Sequence, residues 1–150
     1  MAHVHHSAVV AHDVDASLRF YRDGLGLAVL MDHQFHGDWR TLFDAPADHL
    51  RSVFLGDPES PDAGIVELVT FGAGGDGGDA PAPAPPRRGF FLLSFFVDVA
   101  ATLARLDALG FDQPTRRIRV PGPAGDVDMV TVRDPDGVLV ELVGATQTPS

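Results

Sequence analysis

The sequence predicts an α+β fold of two tandem βαβββ modules forming a half-open mixed-sheet barrel around one cavity, and three observations carry that expectation. The same order of signals, one strand, one helix and three strands, is written twice along 150 residues. The last strand of each copy holds the same tetrapeptide, Val66-Glu67-Leu68-Val69 and Val140-Glu141-Leu142-Val143. Between the copies, Gly72 to Gly89 read GAGGDGGDAPAPAPPRRG, where glycine and then alternating alanine and proline remove any apolar period. The expected boundaries are residues 1–71 for the first module, 72–89 for a linker that spans without packing, and 90–150 for the second module, in a single domain overall.

Each element has its own signal. Opening strands are expected at Ser7 to Ala11 and Phe91 to Val97. Asp13 and Asp98 stand where helix N-caps belong, because a short carboxylate can accept the free backbone N–H groups of the first turn. Behind them Val14, Leu18, Tyr21 and Val99, Leu103, Leu106 repeat at helical spacing and superimpose at a constant offset of 85. Gly24, Gly26 and Gly110 are placed to end the helices in left-handed caps. The remaining strands are expected at Ala28 to Phe35, Leu50 to Leu55 and Ile65 to Phe71, and at Thr115 to Val120, Asp128 to Arg133 and Val138 to Val143. Asp134-Pro135-Asp136-Gly137 supplies a tight turn before the last of them. Four curved strands make an open half-barrel, and two half-barrels enclose a cavity lined by residues of one parity.

Composition excludes several chemistries. With no cysteine and no lysine, thiolate nucleophiles, Cys-ligated metals and a lysine Schiff base are ruled out. Catalysis must come from carboxylates, imidazoles, hydroxyls, arginine or a metal held by hard or borderline ligands. A net charge of -10 argues against nucleic acid and fits a cationic or neutral ligand better. No apolar run approaches the roughly 20 residues that span a bilayer. The start, MAHVHHSAVV, lacks the features of a secretory signal, so the expected location is the cytoplasm.

The stretches HHSAVVAHDVDASLRFYRDGLGL, FFVDVAATLARLDALGF and VRDPDGVLVELV together resemble the vicinal oxygen chelate superfamily, which includes glyoxalase I, extradiol dioxygenases and bleomycin-binding proteins. The resemblance covers nearly the whole chain and speaks to the scaffold more than to the substrate. In metal-using relatives, four ligands come from the first and last strand of each module. Carried over, these fall on His6, Glu67 and Glu141, while the fourth place falls on Phe91, or on Leu92 if the pairing slips by one. Neither Phe nor Leu binds a metal. The resemblance therefore implies one imidazole and two carboxylates around a divalent ion, Mn, Ni, Co, Zn or Mg, with no organic cofactor. All seven histidines lie in the first module. A two-histidine iron site of the dioxygenase kind would need its second imidazole from a loop, at His36 or His49, or from a partner chain.

Glu67 and Glu141 interrupt apolar strands, so if those strands face inward the carboxylates need a metal, an arginine such as Arg119 or Arg40, or a hydrogen-bonding ligand. The bland alternative is an edge strand with its glutamate in water. His6 shares a strand face with Ala8 and Val10, which leaves room for a ligand, although His3, His5 and His6 also read as a polar lead-in. The segment Asp32 to Leu50 reads either as a lid, with His36, Trp39, Arg40 and Phe43 shaping a substrate, or as a surface excursion packed by its own aromatics. Phe90, Phe91, Phe95 and Phe96 read as core, and Phe91 in a ligand's place would make the cavity wall apolar. The leading expectation is a metal-assisted lyase or isomerase acting on a small oxygen-bearing molecule, with Glu141 and Glu67 as base or ligand and His6 as ligand. Its rival is a metal-free protein that binds a small molecule in the same cavity. The resemblance also implies a homodimer.

Overall fold

The computed structural model describes residues 1–73 and 78–146; the expected linker therefore lies partly, and the end of the second module wholly, outside the described residues at 74–77 and 147–150. The chain divides into two compact units, Met1–Asp79 and Ala80–Ser150. The division falls inside the Gly72 to Gly89 stretch, so residues 80–89 belong with the second unit.

The first unit runs β1 (His6–Val10), α1 (Val14–Leu18), a π-helical segment (Arg19–Gly24), β2 (Ala28–His36), α2 (Trp39–Phe43), β3 (His49–Gly56) and β4 (Ile65–Phe71). Its sheet has the order β1-β4-β3-β2, with β1 parallel to β4 and the other pairs antiparallel. The second unit contains β5 (Leu93–Phe96), α3 (Val99–Ala108), β6 (Arg116–Gly122), β7 (Gly125–Arg133) and β8 (Leu139–Ala145). Its sheet repeats the topology as β5-β8-β7-β6. Neither sheet closes on itself: two four-stranded mixed sheets with a few helices make an α+β fold of two tandem modules.

Both expected N-caps form. The Asp13 carboxylate accepts the Ala16 N–H at 3.1 Å and the Asp98 carboxylate accepts the Ala101 N–H at 2.9 Å. The helix ends differ from expectation at one place. Gly26 and Gly110 take the left-handed backbone, with φ of 87° and 86°, whereas Gly24 lies inside the π-helical segment. There the Leu25 N–H reaches back five residues to the Phe20 carbonyl at 3.0 Å, and the wider turn delays the reversal by two residues.

One face of each sheet packs against its helix and forms the core. In the first unit Val66, Leu68, Val53 and Leu55 are buried on this face, together with Phe20 and Tyr21, whose rings meet edge to face at 5.0 Å. In the second, Val130, Val132, Val140 and Leu142 share a face, and Leu106 and Val99 of α3 are likewise buried. Strand alternation then sends Glu67 and Glu141 to the opposite face of their sheets. Among the described residues no helix is long and apolar enough to cross a membrane.

Leu68 and Leu142 are both fully buried directly after the two glutamates. Leu68→Ala and Leu142→Ala should each destabilise by about 2–5 kcal/mol, as large-to-small core changes do. Asp98→Ala should cost only about 1 kcal/mol through the lost cap. Urea unfolding at neutral pH, compared by midpoint at constant slope, checks all three.

Candidate functional site

On the sheet face opposite the first core, β1 contributes His6 and Ala8, β4 contributes Glu67, and β3 contributes Ser52 and Phe54. The register pairs Ala8 and Phe54 with Glu67 from either side. The Glu67 side chain is only 15% exposed, and its two oxygens are engaged separately. The Ser52 hydroxyl donates to Oε1 at 2.6 Å, while His6 Nε2 lies 3.2 Å from Oε2. His6 Nδ1 in turn lies 2.9 Å from His5 Nδ1. One imidazole of that pair must donate and the other accept, so their tautomers are linked. When neutral His6 donates Nε2–H to Glu67, its Nδ1 accepts from His5. The Phe54 ring, 5.4 Å from that of His6, walls this array on one side.

The separation of His6 Nε2 and Glu67 Oε2 is that of two donors on one ion. Two bonds of roughly 2.1 Å meeting at 90–109° place their donor atoms about 3.0–3.4 Å apart. The pair therefore fits a divalent metal, with His5 positioned to accept the His6 Nδ1–H once Nε2 binds an ion. Among the described residues no group of three or more His, Cys, Asp or Glu gathers at one point.

The second unit places Glu141 at the equivalent position of its sheet. Ser94, Glu141, Thr131 and Arg116 form one lateral row across β5, β8, β7 and β6. The Ser94 hydroxyl donates to Glu141 Oε1 at 2.8 Å. The register also decides between Phe91 and Leu92. Ala8 faces Glu67 and Ser94 faces Glu141, so the place of His6, two residues before Ala8, falls on Leu92. The strand offset is thus one residue longer than the helix offset. Phe91 instead lines a cleft of about 460 Å³ in the second unit, formed by Pro83 to Pro86, Arg116, Thr131, Arg133 and Leu139.

Other residues singled out from the sequence lie elsewhere. His36 pairs with His49 across β2 and β3, their rings 5.7 Å apart. Both are an odd number of residues from the Ser52 pairing, on the face away from Glu67, so neither can join His6 there. Trp39 and Arg40 sit on α2, where the Trp39 and Phe43 rings stack at 5.8 Å, and Phe43 meets Phe71 edge to face at 6.3 Å. This aromatic group reaches the Glu67 face only at the Phe71 end of β4, and Arg40 is exposed. Arg119 pairs across the ladder with Asp128, which lies on the face away from Glu141. Its Nε is 3.2 Å from the Asp128 carboxylate, which Arg117 also holds. Neither Arg40 nor Arg119 partners a glutamate; serine hydroxyls and His6 do so instead.

The residues that sequence reasoning missed are Ser52, Ser94, His5 and His33. The two serines carried a readable signal, since each interrupts an apolar strand just as the glutamates do. His33 is the ladder partner of Ser52 and so shares the Glu67 face. Recognising it required the strand register, which shifts at a bulge between Val29 and Met31.

Two βαβββ units, each presenting a glutamate from its last strand away from the core, define a vicinal oxygen chelate protein. The chain belongs to the Glyoxalase/Bleomycin resistance protein/Dioxygenase superfamily, whose family model matches residues 3–142. It is 40% identical over 148 aligned residues to a lactoylglutathione lyase-like protein, terB, of Aspergillus terreus, covering 93% of this chain and 74% of that one. Its fold is similar to that of a glyoxalase family protein from Bacillus cereus, with a TM-score of 0.70 at 18% identity over 98% of this chain and 96% of the other. It is also similar to the trypanothione-dependent glyoxalase I of Leishmania major, with a TM-score of 0.57 at 22% identity over 96% and 87% of the two chains.

The Asp128 pair gives a pH signature. Hydrogen bonding from Arg117 holds its carboxyl below the ordinary 3.8, partly opposed by desolvation and reinforced by Arg119. A folded value below the unfolded one means that the contribution is fully present above the unfolded value and is lost as pH falls through the folded one. Asp128→Asn should therefore lower the urea midpoint at pH 7, and the gap from the parent protein should close as the pH drops below about 4.

Proposed function

We propose that this chain is a divalent-metal-dependent enzyme of the glyoxalase type, a lyase or isomerase acting on a small oxygen-bearing molecule. One observation carries the reading: His6 Nε2 and Glu67 Oε2 stand at ligand-to-ligand spacing on a sheet face. The resemblance supports Glu141 as the third donor, with water or substrate completing the set in place of the residue that is Leu92 here. Mn, Ni, Co, Zn and Mg all suit such donors. The relative's name, lactoylglutathione lyase-like, makes that lyase chemistry the first to test.

A bound divalent ion would polarise substrate oxygens and stabilise negative charge developing on them. The protein's own groups divide the remaining work. Glu67 has both oxygens engaged, by Ser52 and by His6, which suits a fixed ligand. Glu141 has only Oε1 held, by Ser94, and among the described residues Oε2 has no hydrogen-bond partner. That free oxygen suits Glu141 to accept and return a proton during enolisation. Ser94 fixes the carboxylate's rotation so that Oε2 stays presented.

A second reading has its own observation. Leu92 stands where a fourth ligand would, and Phe91 lines an apolar cleft, which suits a metal-free protein that sequesters a small molecule.

Metal analysis of tag-free protein purified without chelator distinguishes the two. The enzyme reading expects near-stoichiometric metal, at least a tenfold loss of it in His6→Ala and Glu67→Gln, and formation of lactoylglutathione or a related thioester from its isomeric α-keto hemithioacetal at a rate that falls at least a hundredfold in Glu141→Gln. Retention of metal in Glu141→Gln would assign that residue to proton transfer alone. Absence of metal after incubation with each of the five ions would leave the binding reading. Light scattering checks the homodimer that belongs to the same proposal.

A further inference from the structure

The cleft in the second unit holds a feature at odds with the acidic charge of the chain. Its walls are apolar, from Pro83, Pro85, Phe91 and Leu139, yet two guanidinium groups, Arg116 and Arg133, line it as well. Arg133 donates to the Gly137 carbonyl at 3.0 Å, and no carboxylate among the described residues pairs with it. Arg116 is paired with Thr131 through the strand ladder, but its guanidinium has neither a hydrogen bond nor an ion pair with any described residue. Arg117 and Arg119, on the other face of the same strand, are both held by Asp128, so the lack of a partner is particular to the cleft side. Arg116 opposes Thr131 and Arg133 lies two residues further along β7, so in a protein of net charge -10 two cations without a carboxylate partner share one face as diagonal neighbours and repel each other. Arg116 is exposed and Arg133 half-buried, so solvent screens part of that repulsion, and an anion would relieve the rest.

The roof comes from the stretch expected to span without packing. The Pro81 carbonyl lies against the turn before β8, where a Cβ on Gly137 would stand 3.2 Å from it, and Pro83 to Pro86 continue along the cleft. Extended proline-rich chain suits this role, because its rings offer rigid apolar surface at little entropic cost. At about 460 Å³ the space suits a small organic ligand.

We propose that this cleft binds a small amphipathic anion, its anionic head on Arg116 and Arg133 and its flat apolar body between Phe91, Leu139 and the prolines. Guanidinium groups recognise carboxylate and sulfonate oxygens through paired charge-assisted hydrogen bonds. Net charge had pointed to a cationic or neutral ligand, but the charged residues that line the cleft, Arg116 and Arg133, are cationic. Arg116 shares its lateral row with Thr131 and Glu141, about two strand spacings or roughly 10 Å away. An anion held at Arg116 would therefore direct its far end along the row toward Glu141. Only that direction rests on the enzymatic reading; binding itself does not.

Two dyes of one shape provide the test: 8-anilinonaphthalene-1-sulfonate, and N-phenyl-1-naphthylamine, which lacks only the sulfonate. Fluorescence titration uses full-length, chelator-treated protein at fixed moderate salt, so the result does not depend on metal. The expected results are one-to-one binding of the sulfonate dye, about tenfold weaker binding in Arg116→Gln, and an unchanged affinity for the neutral dye. Phe91→Ala should weaken both dyes. Arg116→Gln breaks no described contact, and an unchanged thermal midpoint confirms its fold. The proposal is overturned if the parent protein binds neither dye, or if Arg116→Gln leaves the sulfonate dye unaffected or weakens both dyes equally. Dye binding without metal binding would keep this site and remove the enzymatic reading, and the reverse outcome would do the opposite.

Discussion

A carboxylate in the middle of an apolar strand must find compensation within its own sheet, and the rest of this structure is organised around that constraint. Leaving such a group desolvated and unpaired costs several kcal/mol or forces it to take up a proton. Both units place a serine hydroxyl from a neighbouring strand on Oε1, in a part-buried setting at Glu67 and an exposed one at Glu141. The serines are not sequence equivalents: Ser52 comes from β3 and Ser94 from β5. The second oxygen differs between the units. In the first unit it faces His6; in the second it is left without a described partner. One scaffold therefore holds one carboxylate at both oxygens and the other at a single oxygen.

Strand alternation links this polar arrangement to stability. Each glutamate precedes a leucine buried in the opposite face, so a one-residue slip would drive the carboxylate into the helix-packed core and expose the leucine. Packing thus enforces the register that presents both glutamates away from the core. The ion pairs follow the same parity. Asp128 gathers Arg117 and Arg119 on the core side of β6 and β7, leaving Arg116 for the cleft side. The proline-rich segment, bonded in no strand, adds a wall to that side.

Much of the fold was legible because it depends on local chemistry. The Asp caps, the left-handed glycines at 26 and 110, and β4 from Ile65 to Phe71 follow from short-range preferences that the sequence states directly. The repeated Val-Glu-Leu-Val located both glutamates, since a charged residue in an apolar run is conspicuous in sequence as in space. Long-range register was not legible. Whether His36 shares a face with Glu67, whether Arg119 meets Glu141, and whether Phe91 or Leu92 takes the fourth place each depend on pairing parity across strands far apart in sequence. A bulge in β2 and a one-residue difference between strand and helix offsets shift those parities. The packing of the Pro-Ala stretch was hidden for a different reason: polyproline has no apolar period, yet its rings still cover apolar surface.

The central claim is that the His6–Glu67 pair is a metal-ligand pair and not merely a hydrogen bond. Anomalous diffraction from crystals grown with manganese, recorded on either side of its absorption edge, tests this most directly. The account predicts a peak within about 2.3 Å of both His6 Nε2 and a Glu67 oxygen, with His5 accepting from His6 Nδ1. A map with no peak there, and the His6 to Glu67 hydrogen bond intact in excess manganese, would contradict it.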